Sequence, residues 1–147
     1  AQPESGRAEL VRAKCGAVVF NDAYNAAPES MCAALATLAS YETAGRRIAV
    51  LGDMGELGSE EKKLHGMVGT HFAGKKIDAL FVTGTLAGEI AEKARRVAPE
   101  TRVYAEPDKE ALAQALLDCR RPGDTILVKA SHFMGFSEIV KKLEQPQ

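Results

Sequence analysis

Four short apolar runs, separated by longer segments of helical periodicity, constrain this chain more than any other feature. They are 17–20 (AVVF), 48–51 (IAVL), 79–82 (ALFV) and 125–128 (TILV). Each is too short for a core helix and nearly free of polar residues, the pattern of a strand covered on both faces of its sheet. Two weaker segments join them: 102–104 (RVY) as a short strand and 8–14 (AELVRAK) as an edge strand, with Leu10 among charged neighbours. The tally is about five strands with helices between them, at spacings that suit parallel crossovers. The expected fold is an open, three-layer, mostly parallel α/β sheet with helices on both faces.

The helices have legible ends. Pro28 sits where its missing donor is harmless, and Met31, Leu35, Leu38 and Ala39 follow at helical spacing. Ser59–Glu60–Glu61–Lys62 places acidic residues at the positive end of a second helix. Its expected apolar stripe is Leu64, Met67, Val68 and Phe72, with Gly74 as the stop. A third helix covers 86–97 with Ile90, Ala94 and Val97 inward. Asp108 caps a fourth carrying Ala111, Leu112, Ala115 and Leu116, and 136–143 forms the last.

A chain of 147 residues suits one domain. Residues 1–6 (AQPESG) read as a polar linker and 7–147 as the single domain. Lys plus Arg number 19 against 20 Asp plus Glu, a balance that offers no electrostatic footing for nucleic acid. No run approaches the 18 or so apolar residues of a membrane helix. Cys15, Cys32 and Cys119 are odd in number and fall outside CxxC spacing, so they read as reduced thiols of a cytoplasmic protein.

Ligands of open α/β sheets bind beyond the C-terminal strand ends, which directs attention to three loops. In Asn21–Asn25, Asp22 can accept from ribose hydroxyls, Tyr24 can pack, and Asn25 can pair with a polar group; an Asx turn feeding the Pro28 helix is the alternative. Gly52–Gly58 offers Asp53, Met54 and Glu56, either as a structural loop or as a ligand or domain contact. Lys129, Ser131 and His132 bring a cation, a hydroxyl and an imidazole together, suited to a carboxylate or phosphate; a surface ion pair at Lys129 is the alternative. His65 follows the glycine loop and could face cleft or core. Gly69–Lys76 mimics a phosphate loop but ends in Lys where Ser or Thr is needed, and it leads from a helix into a strand, so a C-cap explains it better. The three histidines are too scattered for a metal site, and nothing specifies covalent catalysis.

Three stretches together resemble the C-terminal domain of the Mur ligases. Asp22–Ala23–Tyr24–Asn25–Ala26–Ala27–Pro28–Glu29–Ser30–Met31 is similar to the family's D-x-Y-N-A-N-P-x-S-M segment. Arg47 through Gly58 resembles R-x-A-V-L-G-D-M-x-E-L-G, followed by Leu64–His65 and Val68–Gly69. Gly123–Asp124 and Val128–Lys129–Ala130–Ser131 resemble the G-D…V-K-[GA]-S end. The likeness covers about residues 7–143, and within the family it points to the branch that joins D-alanyl-D-alanine to UDP-N-acetylmuramoyl-tripeptide. It departs at Ala27, where the family has a second Asn, and at His132–Phe133, where many relatives have Arg–Gly.

The resemblance implies a Rossmann-like closing domain of a three-domain, ATP-dependent ligase of bacterial peptidoglycan synthesis, cytoplasmic and monomeric. It implies that Asp22, Tyr24 and Asn25 lie on the nucleotide side. Asp53, Met54, Glu56, His65, Lys129, Ser131 and His132 would lie on the dipeptide or interdomain side. Triphosphate and Mg would be held mainly by a central domain that this chain lacks, so the chain alone would be inactive. The competing expectations are another Mur-type or folylpolyglutamate-type amide ligase domain, or a free-standing α/β binding module.

Overall fold

The computed structural model describes residues 9–13 and 16–144. Lys14, Cys15 and the 1–6 lead therefore lie outside the described residues. Six strands form one sheet: β1 (Glu9–Arg12), β2 (Val18–Asp22), β3 (Arg47–Leu51), β4 (Ala79–Val82), β5 (Arg102–Ala105) and β6 (Thr125–Lys129). Their order is β1-β2-β6-β3-β4-β5. All neighbours are parallel except β1, which runs antiparallel to β2 along the edge. The helices are α1 (Pro28–Ser40), α2 (Glu61–Thr70), α3 (Ala87–Val97), α4 (Lys109–Cys119) and α5 (Ser137–Glu144).

Alternation along the strands builds a core on each face. Ile48, Val50, Ile126 and Val128 pack with Leu112 and Leu116 of α4 and Ile139, Val140 and Leu143 of α5. Ala49, Leu51, Leu80, Val82 and Leu127 point the other way, against Met31 and Leu35 of α1, Val68 of α2 and Ile90 of α3. The three layers match the expected architecture.

The departures have physical causes. The run expected to stop at Phe20 continues through Asp22, and that expected to stop at Val128 continues through Lys129, because these two polar residues satisfy each other in register. A 3-10 turn, Gly58–Glu60, precedes α2 and delays its start to Glu61. The buried face of α2 is His65, Gly66, Val68 and Gly69, with Leu64 and Met67 only half-buried. This face packs closely on α3: a Cβ at Gly69 would collide with the carbonyl oxygen of Ile90 and come within 2.7 Å of Lys93 Cβ. On α3, Val97 stays 36% exposed, while Ala87, Ile90, Ala91 and Ala94 turn inward. Asp108 caps α4 as expected, accepting from Ala111 N at 2.8 Å. Gly69–Lys76 spans the end of α2 and a turn into β4, the path of a helix exit rather than a phosphate loop.

Three substitutions follow from this packing and capping. Gly69→Ala must push α2 off α3 and is expected to lower the melting temperature by several degrees, from about 1–3 kcal/mol of overpacking. Gly88→Ala, at an exposed position of α3 where the added Cβ meets nothing within 4 Å, serves as the clash-free control and should hold or raise the melting temperature. Ala27 occupies the extended N-cap position of α1 and supplies no capping side chain. Ala27→Asn should therefore stabilise by about 1 kcal/mol in thermal or urea unfolding.

Candidate functional site

Strands β2, β6 and β3 lie side by side, but their outgoing chains part. The loops after β2 and β3 lead to α1 and α2 on one face, and the loop after β6 leads to α5 on the other. Such a divergence opens a crevice at the C-terminal strand ends. Asp22 and Leu51 both pair with Lys129, so the Asn21–Asn25, Gly52–Gly58 and Lys129–Ser131 loops leave from one rim. A cleft of 870 Å³ lies there, with Asn25, Met54, Glu56, Glu61, Ser131 and Phe133 among its walls.

Beneath the cleft is a buried ion pair. Lys129 is fully out of water, with Nζ donating to Asp22 Oδ2 at 2.8 Å and to the Asn25 carbonyl at 3.0 Å. The ammonium thus ties the end of β6 to both ends of the Asp22–Asn25 segment. Desolvating either charge alone is prohibitive, so each residue requires the other.

The glycine loop is held at three consecutive residues. Asp53 Oδ1 accepts from Leu86 N at 3.0 Å and Ala87 N at 2.7 Å, capping α3 from a distant segment. Gly84 presses on this carboxylate at φ +123°, where a Cβ would both strain the backbone and clash. Met54 N donates to His65 Nε2 at 2.9 Å, and His65 Nδ1 lies 2.7 Å from the Glu61 carbonyl. Gly55 N donates to Ser131 Oγ at 2.7 Å, and Ser131 N donates to the Asp53 carbonyl at 3.0 Å. Glu56 then enters the left-handed region at φ 58° and is exposed.

The outer rim is aromatic. Tyr24 is 50% exposed, its ring 5.5 Å from that of His132, and Phe133 is 67% exposed. In the Asn21–Asn25 segment, Asn21 Oδ1 accepts from Ala23 N, the two-residue span of an Asx turn, and Asn25 Oδ1 accepts from the adjacent Ala26 N.

The ten candidate side chains therefore divide. Tyr24, Asn25, Glu56 and His132 are exposed; Asp22, Asp53, Met54, His65, Lys129 and Ser131 are buried. Met54 and Ser131 still border the cleft, whereas Asp22, Asp53, His65 and Lys129 do not line it. His65 resolves to the core, and Lys129 to an ion pair inside the protein rather than on its surface. Glu61 and Leu86, absent from the candidates, reach the cleft because α2 and α3 begin at its edge. Gly123–Asp124 lies at the far end of β6, where Asp124 grips Arg46 through both carboxylate oxygens.

The cleft walls carry Glu56, Glu61 and His132 but no Lys or Arg among the described residues. No group of three His, Cys, Asp or Glu residues is arranged to hold a metal among the described residues, so no step through magnesium is derived from this chain. Burial pushes the free thiols of Cys32 and Cys119 up, away from the thiolate form a nucleophile needs.

The family model "Mur ligase, glutamate ligase domain" matches residues 6–132, and the chain belongs to that family. It is 42% identical over 137 residues to the UDP-N-acetylmuramoyl-tripeptide–D-alanyl-D-alanine ligase of Bacillus subtilis, covering 93% of this chain and 30% of that protein. The enzyme of the same name from Synechocystis is 35% identical, covering 94% of this chain and 30% of its own length. MurF from Acinetobacter baumannii superposes with a TM-score of 0.79 at 26% identity, covering 99% of this chain and 32% of that one. A MurF ligase from Thermotoga maritima, crystallised in complex with ADP, superposes at 0.77 with 25% identity, covering 98% and 31%. The chain spans about 30% of the length of the curated relatives it matches.

The ion pair gives the first test of the site. Lys129→Met strands the Asp22 carboxylate and should cost about 3–5 kcal/mol, read by urea unfolding. The double variant Asp22→Asn/Lys129→Met should lose clearly less than the sum of the two single variants. Strict additivity would show that the pair is not coupled.

Proposed function

We propose that this chain is the C-terminal domain of an ATP-dependent ligase that joins D-alanyl-D-alanine to UDP-N-acetylmuramoyl-tripeptide in the bacterial cytoplasm. The observation that carries the reading is the convergence of the Asn21–Asn25, Gly52–Gly58 and Lys129–Ser131 loops on one open cleft. Identity to the Bacillus subtilis ligase of that name supports the substrate assignment.

In this reading ATP phosphorylates the tripeptide's terminal carboxylate and leaves as ADP. The dipeptide amine then attacks the acyl phosphate, forming the amide and releasing phosphate and a proton. The triphosphate and Mg belong to other domains of the longer protein, and closure over the cleft excludes water from the acyl phosphate. Tyr24 and Asn25 meet the nucleotide, since both are exposed on the β2 loop. Asp22 stands directly behind them; with Oδ2 committed to Lys129, its principal contribution is to hold that loop toward the ribose. Glu56 and Glu61 give the acceptor side a carboxylate-lined wall, favourable to an ammonium group before it loses its proton. Met54, Ser131 and His132 complete that wall, while Asp53, His65 and Lys129 set its position from behind.

The test uses the longer ligase with ATP, UDP-N-acetylmuramoyl-tripeptide and D-alanyl-D-alanine, measuring phosphate release. Release should require all three substrates, and the 147-residue chain alone should give none. Asn25→Ala should raise KM for ATP and Glu56→Gln should raise KM for the dipeptide, each by about tenfold, the scale of one lost polar contact. Robust addition of a different amino acid, with no dipeptide incorporated, would overturn the acceptor assignment.

A further inference from the structure

Met54 sits in the middle of the cleft loop with its side chain in the core, 1% exposed, so its N–H has no route to water. That donor is satisfied by His65, itself fully buried on α2, at 2.9 Å from Nε2. The other ring nitrogen lies 2.7 Å from the Glu61 carbonyl. An amide N–H only donates and a carbonyl only accepts. The ring is therefore neutral, with its proton on Nδ1 and a lone pair on Nε2.

We infer that His65 is a positioning residue of the cleft, and that its Nδ1–H imidazole holds the Met54 backbone, and so the Gly55–Gly58 wall, in the shape the acceptor meets. The inference rests on the reading above that this loop serves the dipeptide. The ties on either side of Met54 come from other elements: Asp53 is bound to the start of α3 and Gly55 to Ser131 after β6. His65 is the tie to α2, so it relates the wall to the helix whose first residue, Glu61, also lines the cleft. No replacement that merely fills space restores this, because the Met54 donor would be left buried and unpaired.

Nitrogen-15 NMR of the histidine rings in this chain should show His65 protonated on Nδ1 and bare on Nε2 at neutral pH. His65→Leu keeps bulk but removes the acceptor, and should speed exchange of the Met54 amide about tenfold or more relative to amides of β6. His65→Gln, whose carbonyl oxygen can take the place of Nε2, should restore most of that protection. A ring protonated on Nε2, or Met54 exchange equal in His65→Leu and the parent, would overturn the inference. Should His65→Leu fail to fold, the tautomer and the Gln variant decide between the same outcomes. In the longer ligase, His65→Leu should raise KM for the dipeptide and leave KM for ATP in place. Faster Met54 exchange with an unchanged dipeptide KM would keep His65 as the anchor of the loop and overturn instead the assignment of that loop to the acceptor.

Discussion

A lysine ammonium wholly removed from water is the constraint around which the rim of the cleft is organised. Lys129 ends the strand that lies between β2 and β3, and its charge is tolerable only with Asp22 at the matching end of β2. The pairing extends both strands by polar residues that an apolar sheet would otherwise expel. It also leaves the ammonium free to take the Asn25 carbonyl, fixing the route of the chain toward α1. Replacing the pair by apolar side chains would remove this definition even where it left stability intact, since methyl groups fill space without selecting a loop path.

The glycine loop shows the same economy. Asp53 neutralises the positive end of α3, His65 takes the Met54 donor, and Ser131 takes that of Gly55. Each of these polar groups already has a protein partner, which is why a motif rich in chemistry-bearing residues presents few of them to the cleft. What does face outward is a second set: Tyr24, Asn25, Glu56, His132 and Phe133.

Much of the fold was legible because strand burial on two faces imposes a local pattern. The apolar runs at 48–51 and 79–82 could hardly be anything else, and the exits of β2, β3 and β6 followed from them. Burial of the site residues was not legible, because it depends on partners far along the chain. Asp22 meets Lys129 across 107 positions, and Asp53 meets Ala87 across 34. A lysine after an apolar run looks the same in sequence whether it enters solvent or completes the strand. The inward face of α2 was hidden for another reason: two glycines and a histidine have low apolar character, and only the close approach of α3 makes them core. Glu61 and Leu86 were missed because they line the cleft from the starts of helices rather than from strand-end loops.

This division between inner and outer polar residues explains why the two sequence departures have different weight. At Ala27 the change falls on a helix cap, where Ser30 Oγ already accepts from the Ala27 N–H, so the start of α1 retains one side-chain partner. At His132–Phe133 the change falls outside the tied framework, on side chains that meet solvent and the ring of Tyr24. An imidazole cannot supply the bidentate grip of a guanidinium; what it offers there is ring contact and a hydrogen bond through one nitrogen. The scaffold tolerates the exchange because Ser131, the preceding residue, anchors the turn through Gly55 and Asp53. Variation at the rim can thus change the side chains that face the cleft while the ion pair and the loop ties keep its shape.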